Sequence, residues 1–327
     1  MTAAEASAAA DLAPTIVTSD ALDTGAHAAL QQRVFGHVLE DNDIPLERLG
    51  EPVFSWKLAP PRGPARLALI EDRGAILSSC TGFPVELASG DRRVRGWHLC
   101  DAVSAPEARG RGLFTRALTA LRDDTAPDEW LFAFPNGQSR PAFERQGFVA
   151  VEHVPLWVRP VIGRGGAPPD AVAPITAFGP AHDALASRLA ADRGLTAERS
   201  AAYLTWRYLA HPFFDYQCFE LRREDRVDGI LVLNRMQAAG RTSLWVMELL
   251  AVDRAGEREL ARAARAVAGA QGCDVVLSMA SARLPGALRL PPVFLPKKHI
   301  LMVRSGGPGE PRPPGEWEVH TGDWDTF

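Results

Sequence analysis

At 327 residues the chain is about 2.2 times the ~150-residue size of a typical domain, so two domains are expected. Its 46% hydrophobic and 23% charged residues exclude a disordered, collagen-like or fibrous chain. The formal charge of −4 argues against nonspecific nucleic-acid binding, which relies on a strongly basic face. Cys80, Cys100, Cys218 and Cys273 stand far apart with no CxxC pair, so neither a zinc knuckle nor a disulfide framework is expected. A reducing, cytoplasmic compartment fits that usage.

Residues 1–14 are alanine-rich, are interrupted by Glu5 and Asp11, and have no basic residue ahead of them. They read as a flexible tail rather than an export signal. No apolar run approaches the ~20 residues of a membrane helix, so no membrane partner is expected. Two Pro/Gly-rich stretches punctuate the rest, near residues 161–174 and from Ser305 to Gly315. They divide the chain into residues 15–160, a linker over 161–174, residues 175–304, and a C-terminal tail over 305–327 that docks on the core.

In the first half the strand-like WHLCDAV, Trp97 to Val103, leads through SAPEARGRG into a helical LFTRALTAL, where Leu113, Phe114, Ala117, Leu118 and Leu121 recur at helical spacing. The apolar WLFAF follows, a run suited to a strand covered on both faces. Next come a short helix around Ser139 to Gln146 and the strand-like PLWVRP, which completes this half. The second half repeats the rhythm as SLWVMELL, ELARAARAVAGA, DVVLSM and HILMVR. Glu248 lies 147 residues after Asp101, and Val303 lies 145 after Val158. Near-constant offsets across four elements indicate an internal duplication.

The chemistry concentrates between Val103 and Phe148. A strand ending at Val103 turns through a loop with Gly110 and Gly112 and opens an amphipathic helix. Glycines let backbone N–H groups approach a ligand, and a helix start offers unpaired donors with partial positive charge. Arg109 and Arg111 add charge suited to a pyrophosphate. This segment resembles the GNAT acyl-CoA N-acyltransferase superfamily. Arg109-Gly110-Arg111-Gly112-Leu113-Phe114 is similar to its pyrophosphate loop. Phe134-Pro135-Asn136, Ser139, Phe143 and Gly147-Phe148 are similar to its next strand and helix. The second half is similar only in rhythm, so the whole resembles the tandem-GNAT type.

The resemblance implies an α/β protein of two tandem GNAT-like domains, each a mixed central sheet flanked by helices. It also implies acyl-CoA as co-substrate. Asp101 and Val103 would face the thioester, with the Val103 N–H as oxyanion donor. Apart from the resemblance, amide-forming transfer needs a group to take the amine's proton, and Asp101, two residues before Val103, is either that base or a structural carboxylate that caps or pairs locally. Gly110, Gly112, Leu113 and Phe114 would offer N–H groups to the pyrophosphate beside Arg109 and Arg111. Asn136 and Ser139 would contact the far side of the pantetheine arm. Two departures matter: Phe114 replaces a small residue, and Phe143 stands where many members have the tyrosine that protonates the leaving thiolate. Tyr203, Tyr208 and Tyr216, the only tyrosines, all lie in the second half, so a tyrosine acid would have to come from there. At the same alignment Glu257 and Glu259 replace Gly110 and Gly112, which makes the second half a degenerate copy that shapes the acceptor pocket or provides a lid, the alternative being a structural buttress.

For the acceptor, Tyr203, Trp206, Arg207 and Tyr208 form an aromatic cluster that can line a pocket or pack a helix face. The tail adds Asp323 and Trp324, and the resemblance gives Phe327 a possible role as the chain-terminal carboxylate base. His98, His211 and His299 have no visible partner and read as structural; no ligand cluster indicates a metal. The expected reaction is transfer of an acyl group to a primary amine of a small polar acceptor such as an aminosugar or amino-bearing metabolite, in a monomer or homodimer. Residues 1–160 carry 16 Lys+Arg against 21 Asp+Glu, which favours a cationic acceptor. The alternative is a catalytically inactive CoA-binding or scaffold protein. An aminoacyl-tRNA-dependent transferase is disfavoured by the acidic charge and the intact RGRG loop.

Overall fold

The structure, a computed structural model, describes residues 12–41, 44–163, 166–192, 194–238, 240–291, 293, 295, 300–305 and 317–324. In chain order the first half holds strand β1 (Thr15–Thr18), helices α1 (Thr24–Glu40) and α2 (Glu51–Lys57), and strands β2 (Arg66–Asp72), β3 (Ala75–Ser89) and β4 (Arg92–Ser104). Helix α3 (Leu113–Asp123), β5 (Trp130–Ala133), α4 (Arg140–Arg145), β6 (Val149–His153) and β7 (Leu156–Pro160) follow. The second half holds β8 (Val172–Ile175), α5 (Pro180–Asp192), β9 (Thr196–Ala197) and α6 (Ala201–Leu204). It continues with β10 (Gln217–Arg223), β11 (Arg226–Ala238), β12 (Arg241–Ala251), α7 (Arg254–Ala270), β13 (Val275–Met279), β14 (Leu288–Arg289) and β15 (Ile300–Ser305). Among the described residues no helix is long and apolar enough to cross a membrane.

These elements form two mixed sheets. One has the order β1-β2-β3-β4-β5-β15-β6, the other β8-β10-β11-β12-β13-β7-β14. In each, the fourth and fifth strands run parallel, with Gly96–Leu99 against Trp130–Ala133 and Ser243–Trp245 against Val275–Leu277. Ser243 lies 147 residues after Gly96, and Val275 lies 145 after Trp130, the same offsets that the sequence shows. The duplication therefore extends to strand register.

The described residues fall into two compact units, one within Met1–Val85, Val94–Val151 and Leu301–Pro313, the other within Glu86–Arg93, Glu152–Ile300 and Pro314–Phe327. This division corrects one expectation. PLWVRP does not complete the first sheet: as β7 it pairs antiparallel with β13, Val158 opposite Leu277. HILMVR, in turn, supplies β15 to the first sheet, Val303 opposite Phe132. Each sheet thus takes its sixth strand from the other half of the sequence. The two strands are 145 residues apart, as are their partners, so they fill equivalent slots. The expected linker is also only partly irregular. Val172–Ile175 forms an edge strand on β10, and Pro174 is tolerated there because an edge strand need not donate on its outer side.

Within the first unit, α3 buries Leu113, Ala117, Leu118 and Leu121, the stripe its spacing predicts, while Phe114 at its start stays half-buried. Within the second, α7 covers its sheet with small residues (Ala261, Ala264, Ala268) flanking Leu260 and Val267. These short side chains let the helix lie close to Leu231, Leu244 and Val246 of the strands. Leu118 is fully buried, so Leu118→Ala should cost about 2–5 kcal/mol, checked by chemical denaturation.

Candidate functional site

In the first unit the site is set by where two strands part. The pairing of β4 with β5 ends at Leu99 opposite Ala133, because β5 runs into Pro135, which has no N–H to give a ladder. β4 runs on to Ser104. It bends at Asp101, whose φ of 48° is left-handed, a region sparsely occupied by non-glycine residues and characteristic of functional sites. Side chains hold this bend in place. Buried Gln31 of α1 donates to the Asp101 carbonyl at 3.1 Å, and Ser78 donates to the Val103 carbonyl at 2.9 Å. Ala105 N–H closes onto Leu77 O at 2.8 Å.

The loop that follows has the form the sequence indicates. Gly110 and Gly112 have φ of 76° and 73°, conformations glycine reaches without strain. A Cβ at either would meet no protein atom within 4 Å, so both face open space. Gly112 is the N-cap of α3 and no side chain caps the helix, which leaves the first-turn N–H groups of Leu113 and Phe114 aimed at that space. Arg109 is exposed beside it and Arg111 half-buried. Uncapped donors, helix dipole and two guanidinium groups suit a diphosphate.

Other candidate residues have local partners. Asn136, which is exposed, accepts through Oδ1 from the N–H groups of Gln138 and Ser139, both at 2.9 Å, in the turn that leads into α4. Ser139 Oγ also turns back onto Asn136. Phe143 is buried, edge-on to Phe148 at 5.0 Å and 5.9 Å from Phe114, so it walls the core between α3 and α4. His98 stacks flat on Phe132 at 4.8 Å. His211 Nδ1 accepts from the N–H groups of Phe213 and Phe214, a turn-closing role. His299 and Phe327 lie outside the described residues.

Asp101 is not an isolated carboxylate. Lys57, at the end of α2, places Nζ 2.7 Å from Asp101 Oδ1, the two side chains being 12% and 10% exposed. Nothing local in the sequence signals this pair, which joins residues 44 apart. Buried His27 lies against Phe54 with Nε2 3.4 Å from Gln31 Nε2. Burial, and then the Lys57 charge, lowers its pKa to about 4, so its ring is neutral at pH 7. Burial, reinforced by Asp101, pushes the Cys80 thiol up to about 12, which makes it unreactive.

The second unit resolves the equivalent position in another way. Glu248 is fully buried, with Oε1 accepting from Arg199 at 2.9 Å and from the Tyr208 hydroxyl at 2.6 Å, and with Oε2 3.7 Å from His320. Arg199 also pairs with Asp323 at 2.7 Å. Burial opposes the Arg199 charge, but the Asp323 and Glu248 carboxylates outweigh it and hold the guanidinium well above its ordinary pKa. Arg207 donates to the carbonyls of Gly322 and Trp324 and to the Tyr216 hydroxyl, from a π-helical turn over Thr205–Leu209. Of the expected acceptor residues, Arg207, Tyr208, Asp323 and Trp324 are thus brought together, but as a buried network binding the C-terminal segment to this unit. Tyr203 and Trp206 are half-buried and pack on each other at 5.8 Å. Burial, above all, raises the Tyr203 phenol to about 12, and the Tyr208 hydroxyl is committed to Glu248, so neither is poised as an acid.

The C-terminal segment runs beside β13. Thr321 Oγ1 accepts from Met279 N–H at 2.9 Å, and Ser281 N–H donates to Val319 O at 2.9 Å. The phosphate loop is gone: β12 ends at Ala251 and α7 begins at Arg254, capped by Asp253 on Gly256 N–H at 2.6 Å. Glu257 falls in the first turn of this helix, and Glu259 pairs with Arg223 at 3.0 Å. Among the described residues no group of three or more His, Cys, Asp or Glu is placed to hold a metal ion.

Two outcomes follow. The unfolded His27 ring titrates at 6.5 and the folded one at about 4, so the unfolded chain binds the extra proton between those values. Stability from this group is full above about pH 6.5 and falls by up to about 3 kcal/mol towards pH 4. Denaturation midpoints across that range should show the slope in the native protein and its loss in His27→Gln. In the second unit, a Cβ on Gly322 would overlap the Tyr208 hydroxyl and come within 2.5 Å of Glu248 Oε1. Gly322→Ala should therefore cost about 3 kcal/mol and open the C-terminal segment to limited proteolysis.

No protein-family model matches the chain, and no curated protein matches it in sequence. Solved structures do. A GCN5-related N-acetyltransferase from Anabaena variabilis ATCC 29413 superposes with a TM-score of 0.61 at 12% identity, covering 90% of this chain and 73% of that one. A conserved protein of unknown function from Enterococcus faecalis V583 gives 0.60 at 13% identity, covering 89% and 72%. A GCN5-related N-acetyltransferase from Kribbella flavida gives 0.52 at 18% identity, covering 89% and 71%. At such identities the likeness is one of fold, and with it the repeated strand order has a single reading: this chain has the fold of the GNAT superfamily, the GCN5-related N-acetyltransferases.

Proposed function

We propose that the first unit binds an acyl-CoA and transfers its acyl group to a primary amine of a small polar acceptor. The observation that carries this reading is the start of α3. Its uncapped donors and two left-handed glycines face open space directly after β4 has left β5. A diphosphate fits there because a side chain at either glycine would fill the space it needs, and Arg109 and Arg111 supply compensating charge. The fold likeness to N-acetyltransferases supports the same reaction class.

Bound acyl-CoA supplies an activated thioester. In this reading Val103 N–H, on the part of β4 beyond its pairing with β5, stabilises the oxyanion that forms when the amine attacks, and Asp101 takes the amine's proton. Transfer is direct, with no acyl-enzyme, since Cys80 is buried and its thiol is held protonated. With Phe143 buried in the core no phenol there protonates the thiolate. A thiol of pKa near 8.5 leaves without one at a cost of about 2 kcal/mol at neutral pH. Aminosugars and amino-bearing metabolites are the acceptors in view.

Gly112→Glu brings a carboxylate into the diphosphate position on a backbone strained for any side chain. It should weaken acetyl-CoA binding more than 100-fold by calorimetry, and unchanged affinity would refute the site. Release of CoA thiol across a panel of amines separates an enzyme from an inactive CoA-binding scaffold, which would bind acetyl-CoA and release none.

A further inference from the structure

In the second unit, beyond the last paired residues of β12 and β13, the C-terminal segment is held in the manner of a bound peptide. It reaches Met279 of β13 and Glu248 of β12, and its successive residues bond to opposite sides. Glu318 N–H donates to Leu195 O at 2.9 Å, whereas Val319 accepts from Ser281 N–H and donates to Ser281 Oγ, both at 2.9 Å. Main-chain bonds of this kind hold an extended peptide whatever its sequence, and pockets for particular side chains then give selectivity.

Three such pockets follow one another along Thr321–Asp323, a single turn. Thr321 Oγ1 accepts from Met279 N–H at 2.9 Å and donates to Met279 O at 3.3 Å, so one hydroxyl serves both groups at the end of β13. Gly322 lies against the Tyr208 hydroxyl and Glu248 with no room for a Cβ. Its backbone is not left-handed, so glycine is needed there for space alone. Asp323 meets Arg199 Nη2 at 2.7 Å, the side chains being 8% and 4% exposed, and without Asp323 that guanidinium keeps only Glu248. Breaking a buried pair is costly, which selects an acid at this position.

The fit is nevertheless incomplete. Glu248 Oε2 belongs to a fully buried side chain and accepts no hydrogen bond. The His320 ring, with Nδ1 3.7 Å away, lies beyond hydrogen-bond distance and itself accepts from the Asp323 N–H. A bare acceptor at this depth holds the segment below the tightest binding that the gap allows.

We infer that the gap between β12 and β13 is a peptide-recognition site whose ligand is the Thr321-Gly322-Asp323 stretch, bound reversibly, so that a second copy of the chain can supply the same stretch in trans. The inference is independent of the acyl-CoA reading. A hydroxyl, a bare Cα and a carboxylate in succession define what the site accepts. The sequence leading into the segment, Gly306 to Gly315, has the Gly- and Pro-rich composition of a linker. Attachment through a short linker gives the chain's own segment an effective concentration on the order of millimolar. Exchange in trans is therefore seen once that attachment or the fit of the native segment is weakened.

The test uses the full chain and a fluorescein-labelled peptide of residues 317–324, read by anisotropy. In Gly322→Ala the chain's own segment no longer seats, and the labelled peptide should bind about 100-fold tighter than to the native chain. Peptides carrying Gly322→Ala or Asp323→Asn should bind that variant roughly tenfold or more weakly than the native peptide. Equal affinity of the three peptides, or no binding to a variant whose segment limited proteolysis shows to be released, would overturn the inference. Should Gly322→Ala not fold, a protease site inserted between Ser305 and Trp317 lets the folded full chain be nicked with its site residues intact. The severed segment should then exchange for the labelled peptide while the denaturation midpoint of the protein holds. Collapse of that midpoint on nicking, or a severed segment that never exchanges, would show the segment to be core and overturn the inference.

Discussion

Two parallel strands that separate must leave backbone donors and acceptors to be satisfied by something else, and this constraint organises each unit of the chain. In the first, Pro135 stops β5 while β4 runs on for five residues beyond Leu99. In the second, the pairing of β12 and β13 likewise stops at Trp245 opposite Leu277. There the chain answers with its own C-terminal segment, which bonds to Met279 and Ser281 beside β13 and to residues around Glu248 of β12. The first unit keeps an uncapped helix start and open space over Gly110 and Gly112 next to its parting strands. One geometry thus appears twice, once filled by protein and once with open space beside its helix start.

The electrostatics follow the same division. Each unit places a carboxylate at the duplicated position on its fourth strand, and each compensates it, because an unpaired buried charge is costly. Glu248 is surrounded by Arg199, Tyr208 and His320, a network so enclosed that it reads as structural cement for the tail. Asp101 pairs with the Lys57 ammonium and lies at a strained backbone position. The helix starts diverge in parallel. Asp253 caps α7 with a carboxylate where a diphosphate would need bare donors, and the connection from β12 is too short for a glycine loop.

Much of the site was legible because it is local. The left-handed glycines, the helix opening at Leu113 and the buried stripe of α3 all lie within twenty residues of one another, and each is encoded by residue type and spacing. Lys57 and Arg199 were not legible. Each meets its carboxylate across 44 and 49 residues, and a lone basic residue in a helix or loop carries no mark of its partner. Asn136 shows the same limit on a small scale, since its side-chain oxygen accepts from the N–H groups of Gln138 and Ser139 just ahead of α4.

The sequence by itself determined two duplicated α/β halves, one glycine-rich turn opening a helix and the absence of such a turn in the second copy, since periodicity and glycine act over a few residues. Only the tertiary structure decided which sheet receives which sixth strand. β7 and β15 are largely apolar runs of similar length at equivalent offsets, and hydrophobic alternation does not distinguish two slots of the same shape. Their exchange, like the pairing of Lys57 with Asp101 and of the tail with Glu248, is settled by which long-range hydrogen bonds and charges can be satisfied together. The length that first suggested two domains therefore encodes two sheets whose membership crosses the middle of the chain.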